Sequence, residues 1–294
     1  MKINLDIEYS MLKTFLFNLM VYTCVLTAQH VFATSYEEEV SEILSQRITN
    51  GEVVWLEAGR SRFLAVFQQH TMEQPRGAAI IVHGMGGHPD WPEVVSPLRT
   101  GLPVTGWATL SIQMPVLEPG EPLSDYGRTM QQASNRIRSA VMFLREKQFL
   151  NIILIGHRFG ATSAAYYLAE NRSIIQALIG ISMQSYEFLN PRLDLNDYLG
   201  RINVPVLDIL GSRDFENVLS LIDERRQLAR KVNKQNYQQT VIDGADHYFT
   251  GSEDTLLIHI SDWLADTVPG PGIATDDKFD NATEPLNLQI LEPE

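Results

Sequence analysis

Short apolar runs alternate with longer amphipathic runs along most of the chain. The short runs are continuously apolar, which is typical of strands that are buried on both faces. The longer runs place apolar residues at helical spacing, as at Ile137, Val141 and Leu144. Strands that alternate with helices of this length predict a parallel sheet covered by helices on both faces. The predicted parallel strands are Ala78–Val82, Ala108–Ile112, Ile152–Ile155, Ala177–Ile181, Val206–Leu210 and Gln239–Ile242.

Two further runs, Glu52–Glu57 and Phe63–Gln69, alternate between apolar and polar residues. Gly59 and Arg60 separate them, which predicts a β-hairpin that adds antiparallel edge strands to the sheet. An acidic, helix-prone segment over residues 36–50 precedes this hairpin. The helices predicted after it are Asp125–Gln148, Gly160–Glu170, Phe215–Val232 and Glu253–Ala265.

The N-terminal segment has the pattern of a secretory signal. Lys2 and Lys13 precede an apolar run over residues 14–26, and Val31-Phe32-Ala33 supplies suitable residues before a cleavage point. We therefore expect residues 1–33 to be a signal peptide and the protein to be exported to the periplasm or cell envelope. The alternative is an uncleaved anchor, because the apolar run approaches the roughly 20 residues that a bilayer requires.

The C-terminal segment differs in composition from the rest of the chain. It contains Pro269-Gly270-Pro271-Gly272 and continues as an acidic, polar stretch. Such a segment cannot bury much apolar surface, so residues 268–294 are predicted to be a flexible tail. The α/β domain is then predicted to span residues 34–267.

Composition narrows the functional classes. The chain has 294 residues, of which 44% are hydrophobic and 20% charged, and its formal net charge is −13. An acidic surface repels phosphate backbones and anionic membranes, so we expect neither as a partner beyond the N-terminal anchor named above. The single cysteine, Cys24, lies in the predicted signal, so the mature domain would hold no disulfide. The sequence has no H-E-x-x-H, G-x-G-x-x-G or P-loop motif, and we expect no metal and no cofactor.

A glycine-rich segment, His83-Gly84-Met85-Gly86-Gly87-His88, follows the first predicted parallel strand and is called the glycine loop below. Ligands of open parallel sheets bind at the carboxyl ends of the strands. Glycines at that place let the backbone turn sharply and leave N–H groups directed at a ligand. The glycine loop is therefore a candidate oxyanion-binding segment, and a glycine-rich turn without a site is the alternative.

The segment Ile155-Gly156-His157-Arg158-Phe159-Gly160-Ala161 fits the frame G-x-S-x-G between a strand and a helix. In such a nucleophile elbow the turn crowds the strand against the helix, so side chains at the two glycine positions would clash. The central residue is held in a strained conformation, with its side chain directed into the pocket. That central residue is Arg158. A guanidinium stays protonated and cannot attack an acyl carbon, so the frame predicts an elbow without a serine nucleophile.

Two further polar residues, Asp214 and His247, follow the last two predicted strands. The order of elbow, acid and histidine along the chain is that of a hydrolase triad. Asp246 is the second candidate for the acid, but it adjoins His247 too closely for the usual geometry. We expect Asp214 and His247 to lie beside the elbow.

Several strings around the glycine loop are specific. They are His83–Gly87, His88-Pro89-Asp90-Trp91-Pro92, Pro97-Leu98-Arg99, Gly106-Trp107-Ala108-Thr109-Leu110-Ser111 and Gln113-Met114-Pro115. In these strings the chain resembles a domain-of-unknown-function family of exported, α/β-hydrolase-like proteins from Gram-negative bacteria, and over residues 51–267 it resembles the α/β-hydrolase superfamily. The resemblance implies that fold and an envelope location, and it supplies no substrate. It also implies that Asp214 is the acid, that His247 is the base, and that Met85 and Phe159 stand where oxyanion N–H donors stand.

The arginine at the elbow leaves three functions open. The protein is non-catalytic if Asp214 and His247 have no hydroxyl to activate. It is an anion receptor if Arg158 and the adjacent helix N-terminus bind a carboxylate or phosphate, unless an ion pair of Arg158 with Asp214 plugs the site. It is an ester or acyl hydrolase if another group attacks, and the candidates are Ser182, Ser212, Ser163 and a water activated by His247. We expect a ligand-binding or non-catalytic protein, with hydrolysis as the alternative and the identity of the small-molecule ligand or acyl substrate open.

Overall fold

The computed structural model of the protein describes residues 35–231 and 236–269. The predicted signal peptide and the predicted tail beyond residue 269 lie outside the described residues. The chain divides into two units, Met1–Ser35 and Tyr36–Glu294, and the fold is that of the second unit. None of the helices in the described residues is long and apolar enough to cross a membrane.

Eight strands form a single sheet in this unit. They are β1 (Glu52–Ala58), β2 (Ser61–Gln68), β3 (Gly77–Val82), β4 (Trp107–Ile112), β5 (Ile152–His157), β6 (Ile175–Ile181), β7 (Val206–Arg213) and β8 (Tyr237–Asp246). Their order across the sheet is β1-β2-β4-β3-β5-β6-β7-β8. β1, β2 and β4 are joined antiparallel, whereas every other neighbouring pair is parallel. The prediction of a mostly parallel sheet with an antiparallel hairpin at one edge is confirmed.

Helices connect these strands. They are α1 (Tyr36–Ser45), α2 (Val95–Gly101), α3 (Met130–Glu146), α4 (Phe159–Glu170), α5 (Leu195–Arg201), α6 (Glu216–Leu219), α7 (Ile222–Lys231) and α8 (Glu253–Thr267), with 3₁₀ helices at Leu102–Thr105 and Leu123–Thr129. The prediction of one helix over Phe215–Val232 is wrong. The helical turn tightens at Leu221, whose N–H donates to the carbonyl oxygen of Val218, and the segment divides into α6 and α7.

Two apolar layers bury the two faces of the sheet. Ala78, Ile80 and Val82 of β3 pack into one layer with α3 and α4, and Ala79 and Ile81 pack into the other with α2 and α8. Every residue of β3 is therefore buried, which explains why its sequence is continuously apolar rather than alternating.

Candidate functional site

Residues of the predicted site follow parallel strands that end at one edge of the sheet. The glycine loop follows β3, Arg158 follows β5, Ser182 follows β6, Asp214 follows β7, and His247 follows β8. Since parallel neighbours end on the same side, the topology places these residues along the edge at which α/β sheets bind their ligands.

Arg158 occupies the centre of a sharp strand-to-helix turn. Its backbone has φ 56° and ψ −119°, directly between β5 and α4. A β-carbon at Gly160 would lie 2.2 Å from the carbonyl oxygen of Val82, and one at Gly156 would lie 2.5 Å from the backbone of Ala161. Because β3, β5 and α4 meet this closely, only glycine fits at the two flanking positions. The segment therefore adopts the elbow geometry that its spacing predicts, with arginine at the centre.

Asp214 and His247 form a buried, hydrogen-bonded pair. His247 Nδ1 donates to Asp214 Oδ1. The backbone N–H of Phe215 donates to the same oxygen at 2.7 Å, and Ser182 Oγ donates to Asp214 Oδ2 at 2.6 Å. Burial acts to raise the pKa of the Asp214 carboxyl, but the hydrogen bonds from His247 and Ser182 outweigh it, and the net effect lowers that pKa. Asp214 is thus an ionised acceptor that keeps a proton on His247 Nδ1.

The other ring nitrogen of His247 has an unused lone pair. In a neutral imidazole with its proton on Nδ1, Nε2 is an acceptor. This atom is buried and has no hydrogen-bond partner among the described residues. Phe215 stacks on the ring with centroids 3.9 Å apart, and Tyr248 packs against it edge-on at 5.0 Å. The ring is therefore fixed in orientation, and its Nε2 acceptor is left without a partner among the described residues.

Arg158 does not plug the site by pairing with Asp214. The partners of the Asp214 carboxylate are His247, Ser182 and Phe215, so that alternative is wrong. The Arg158 guanidinium makes no ion pair or hydrogen bond with any residue in 35–231 and 236–269. Its stem runs past Gly84, where Cβ and Cδ of Arg158 lie 3.6 and 3.8 Å from the point that a β-carbon on Gly84 would occupy.

A cavity of about 60 Å³ adjoins this arginine. The glycine loop forms one wall and the elbow another, while α2 and the residue after His247 supply the remainder. Its lining residues are Gly84, Met85, Gly87, Trp91, Val95, His157, Arg158 and Tyr248. Arg158 is thus the one charged residue among those that line this small space.

Backbone N–H groups of the glycine loop and the elbow are available to a ligand. Gly86 N–H donates to the Tyr126 hydroxyl at 3.0 Å, and Gly87 N–H donates to the carbonyl oxygen of Gly84 at 3.2 Å. The N–H groups of Met85 and Phe159 meet no acceptor within the described part of the chain. Phe159 also begins α4, so the positive end of the helix dipole adds to this donor. The two predicted oxyanion donors are therefore both unoccupied.

His83 lies behind the glycine loop rather than in the cavity. Its Nε2 accepts the N–H of Met114 at 2.9 Å, and its Nδ1 lies 2.7 Å from the carbonyl oxygen of Gly84. Since Met114 N–H can only donate, Nε2 carries no proton and Nδ1 donates to Gly84. Burial lowers the pKa of His83 to about 3, which keeps the ring neutral. The prediction of His83 as a ligand-contacting residue is corrected accordingly, because its ring is fully engaged within the protein.

His157, the residue before Arg158, is a second buried and neutral histidine. Burial is the main reason that its pKa falls to about 3, and the neighbouring His247 ring and the Arg158 charge add to the effect. Its Nε2 lies 3.3 Å from the carbonyl oxygen of His247, so the ring links the elbow to the histidine arm. The described residues contain no group of three or more His, Cys, Asp or Glu side chains that could hold a metal ion.

The other predicted nucleophiles and the second acid are placed elsewhere. Ser163 Oγ donates to a carbonyl oxygen within α4, and Ser212, near the end of β7, is bonded to Asp243 and to the N–H of Gly244 in β8. Asp246 accepts two backbone N–H groups of its own turn at 3.0 Å each. Ser182 joins the site, but its hydroxyl is donated to Asp214. None of the three serines lies at an elbow or is hydrogen-bonded to His247.

Sequence reasoning missed the aromatic residues of the site. Phe215 and Tyr248 directly follow Asp214 and His247, so adjacency to the pair was a usable signal. Trp91 lies in one of the strings that carry the resemblance, and it packs edge-on against His88 with centroids 5.2 Å apart. Tyr126 had no signal, because it reaches the glycine loop from a 3₁₀ helix that is distant in the sequence.

A family model described as "Protein of unknown function (DUF3530)" matches residues 28–126 and 118–266. The matched residues make up well over half of the chain, and the chain therefore belongs to this family. The predicted resemblance to a domain-of-unknown-function family is thereby confirmed. No curated protein matches the chain.

Solved structures of α/β hydrolases align with three quarters of the chain. An esterase from Pyrococcus furiosus aligns with a TM-score of 0.62 at 16% identity, covering 75% of this chain and 92% of that one. Est1E from Butyrivibrio proteoclasticus aligns with a TM-score of 0.57 at 16% identity, covering 74% of this chain and 99% of that one. Dienelactone hydrolase from Anabaena variabilis gives 0.58 at 18%, covering 75% and 99%. Identities this low establish the fold alone, and that fold is the predicted α/β-hydrolase fold.

Proposed function

We propose that this member of the DUF3530 family is an exported protein that binds a small carboxylate at its elbow and does not hydrolyse esters. The observation that carries the proposal is the Arg158 guanidinium. It stands at the nucleophile position beside a cavity, and it has no ion pair among the described residues.

The chemistry around Arg158 suits a carboxylate. A guanidinium presents a planar fork of donors that matches the two oxygens of a carboxylate. The N–H groups of Met85 and Phe159 supply further donors, and the N-terminal end of α4 favours negative charge. On the same measure a cavity needs about 10–15 Å³ to hold one water, so a cavity of about 60 Å³ fits a ligand of a few heavy atoms such as acetate. In the same fold, one solved structure is of Est1E with ferulic acid bound.

The absence of ester hydrolysis follows from the same residue. Arginine offers no lone pair for attack on an acyl carbon, and removal of a triad member costs orders of magnitude in rate. Asp214 and His247 then act by binding, since the free Nε2 lone pair accepts a hydrogen bond from a hydroxyl or a water beside the carboxylate. Export is part of the proposal, and its support is the pattern of Lys2, Lys13 and the apolar run that follows.

Titration with acetate tests this proposal. The purified mature protein is titrated with ¹³C-labelled acetate and followed by NMR, beside Arg158→Gln and the matched control Arg60→Gln in the exposed β1–β2 turn. Charge-assisted hydrogen bonds of this kind are worth about 1.5–3 kcal/mol, so Arg158→Gln should weaken binding about 10- to 100-fold. The control should bind as the wild type does. Wild-type protein without saturable acetate binding would refute the proposal.

One observation favours a second function. His247 is oriented by Asp214 and has a free Nε2, which is the arrangement of a general base that activates a water. An acyl group held by Met85 and Phe159 N–H would then be attacked by that water without any serine. Ester turnover distinguishes the two functions. A hydrolase would lose its turnover in His247→Ala, whereas a binding protein has no turnover to lose.

A further inference from the structure

The peptide between Gly84 and Met85 carries one of the two available N–H donors. A trans peptide is planar, so its carbonyl oxygen and its N–H point in opposite directions. The carbonyl oxygen of Gly84 is held by His83 Nδ1 at 2.7 Å and by Gly87 N–H at 3.2 Å. These two bonds therefore direct the Met85 N–H in the opposite direction within the peptide plane, away from the groups that hold the Gly84 carbonyl oxygen. Whatever holds His83 therefore sets the direction of this donor.

His83 is held by the segment that follows β4. Its Nε2 accepts the N–H of Met114 at 2.9 Å, and the side-chain amide of Gln113 approaches the same nitrogen at 3.1 Å. The Gln113 amide also donates to the carbonyl oxygen of Met114 at 2.8 Å. The His83 ring thus follows the backbone of residues 113 and 114 if that backbone moves.

This backbone is fastened in turn to α1. Arg136, of which 1% of the side chain is exposed, donates from Nη1 to the carbonyl oxygen of Gln113 at 3.0 Å and pairs through Nη2 with Glu37 at 2.7 Å. The second oxygen of the Glu37 carboxylate accepts the N–H of Val116 at 3.0 Å. Glu37 therefore holds the segment after β4 at two points, once directly and once through Arg136.

We infer that Glu37 of α1 is a positioning residue for the site, acting through Arg136, residues 113–114 and His83 to orient the Met85 N–H. Gly84 and Gly86 leave the loop free to take other conformations, since glycine crosses between backbone regions at little steric cost. The bonds that start at Glu37 select one of these conformations. The inference concerns the free protein, and it rests on the proposed function only for its effect on carboxylate binding.

Hydrogen exchange of the Gly87 N–H reports directly on the conformation of the glycine loop. This N–H donates to the Gly84 carbonyl oxygen, and rotation of the Gly84–Met85 peptide would break that bond. Exchange is measured by NMR in the mature protein, without further truncation, for the wild type, Glu37→Gln and the control Glu42→Gln. Glu42 makes the other short ion pair of α1, to Arg62 at 2.6 Å, without contact to the segment after β4. We expect Gly87 exchange to rise about fivefold or more in Glu37→Gln, relative to amides of β6, and to stay unchanged in the control.

A second variant keeps the test decisive if Glu37→Gln does not fold. Glu37→Leu combined with Arg136→Met removes both charges together, so no unpaired guanidinium remains buried. Gly87 exchange that is unchanged in the folded double variant, or that rises equally in Glu42→Gln, would overturn the inference. We also expect acetate to bind more weakly to the Glu37 variants. Wild-type protein that binds no acetate would contradict the proposed function while the exchange result still decides this inference.

Discussion

The elbow after β5 and the acid–histidine arm after β7 and β8 meet at one sheet edge but are constrained differently. In the elbow, backbone contacts fix Gly156 and Gly160, whereas the central side chain makes no ion pair or hydrogen bond with the described residues. In the arm, the functional side chains themselves are buried and bonded to each other. The fold thus dictates the shape of the elbow without dictating the chemistry of its central residue.

This difference separates two meanings of an intact Asp214–His247 pair. The Asp214 carboxylate is buried and is satisfied by His247, Ser182 and the Phe215 N–H, so these bonds contribute to stability whether or not a reaction occurs. The Asp214–His247 pair is therefore only weak support for catalysis. Arg158 at the elbow is stronger evidence against it. Variants that change either the elbow or the acid–histidine arm, and leave the other unchanged, make the comparison quantitative.

The largest effect is expected at the elbow backbone. In Gly160→Ala the new methyl group would stand 2.2 Å from the carbonyl oxygen of Val82, so β3 and α4 must separate. We expect a loss of more than about 3 kcal/mol in the free energy of unfolding, measured by urea denaturation. Gly200→Ala in α5 is the matched control. It meets nothing within 4 Å and should stabilise by about 0.5–1 kcal/mol. A Gly160→Ala protein as stable as the wild type would mean that the elbow is looser than described.

A smaller effect is expected from His157, the histidine that links the elbow to the acid–histidine arm. The pKa of His157 is about 3 in the folded protein and near 6.5 when unfolded, so the unfolded state takes up the proton first as the pH falls. Stability is then lost from pH 6.5 downward, by about 2 kcal/mol at pH 5 for this residue. In His157→Gln the difference in unfolding free energy between pH 7 and pH 5 should shrink by that amount. The lowered pKa of Asp214 acts only below its ordinary value near 3.8 and does not enter this window. An unchanged difference in His157→Gln would show that the ring is solvated.

The smallest effect is expected within the arm. Ser182→Ala removes one donor from the Asp214 carboxylate, which keeps His247 and the Phe215 N–H as partners. We expect a loss of about 1.5 kcal/mol in unfolding free energy. Ser212→Ala, near the end of β7 where the hydrogen bonds of the hydroxyl are exposed, should change it by no more than about 0.5 kcal/mol. Equal losses in the two variants would place Ser182 outside the network of the acid.

The sequence predicts the strands and the order of the site residues because double burial and glycine sterics leave local patterns. Continuous apolar runs mark β3 and β5, and the G-x-x-x-G frame marks the elbow. It could not predict α2, a seven-residue helix that is too short for periodicity and contains Pro97. The sequence also could not predict that Arg158 forms no ion pair with Asp214, because the hydrogen bonds from Ser182 and His247 to that carboxylate depend on the tertiary structure. Tyr126 and Arg136 act through long-range contacts that no local pattern records.

The most direct measurement of the central claim is turnover of 4-nitrophenyl acetate by three forms of the mature protein. The forms are the wild type, His247→Ala and Arg158→Ser. The first variant alters the acid–histidine arm, and the second alters the elbow. If the elbow binds rather than reacts, hydrolysis by the wild type should equal that by His247→Ala. Any gain should occur only in Arg158→Ser, which restores a hydroxyl to the elbow beside the acid–histidine pair. Wild-type turnover that disappears in His247→Ala would contradict the account, because it would show that the pair already works without a serine.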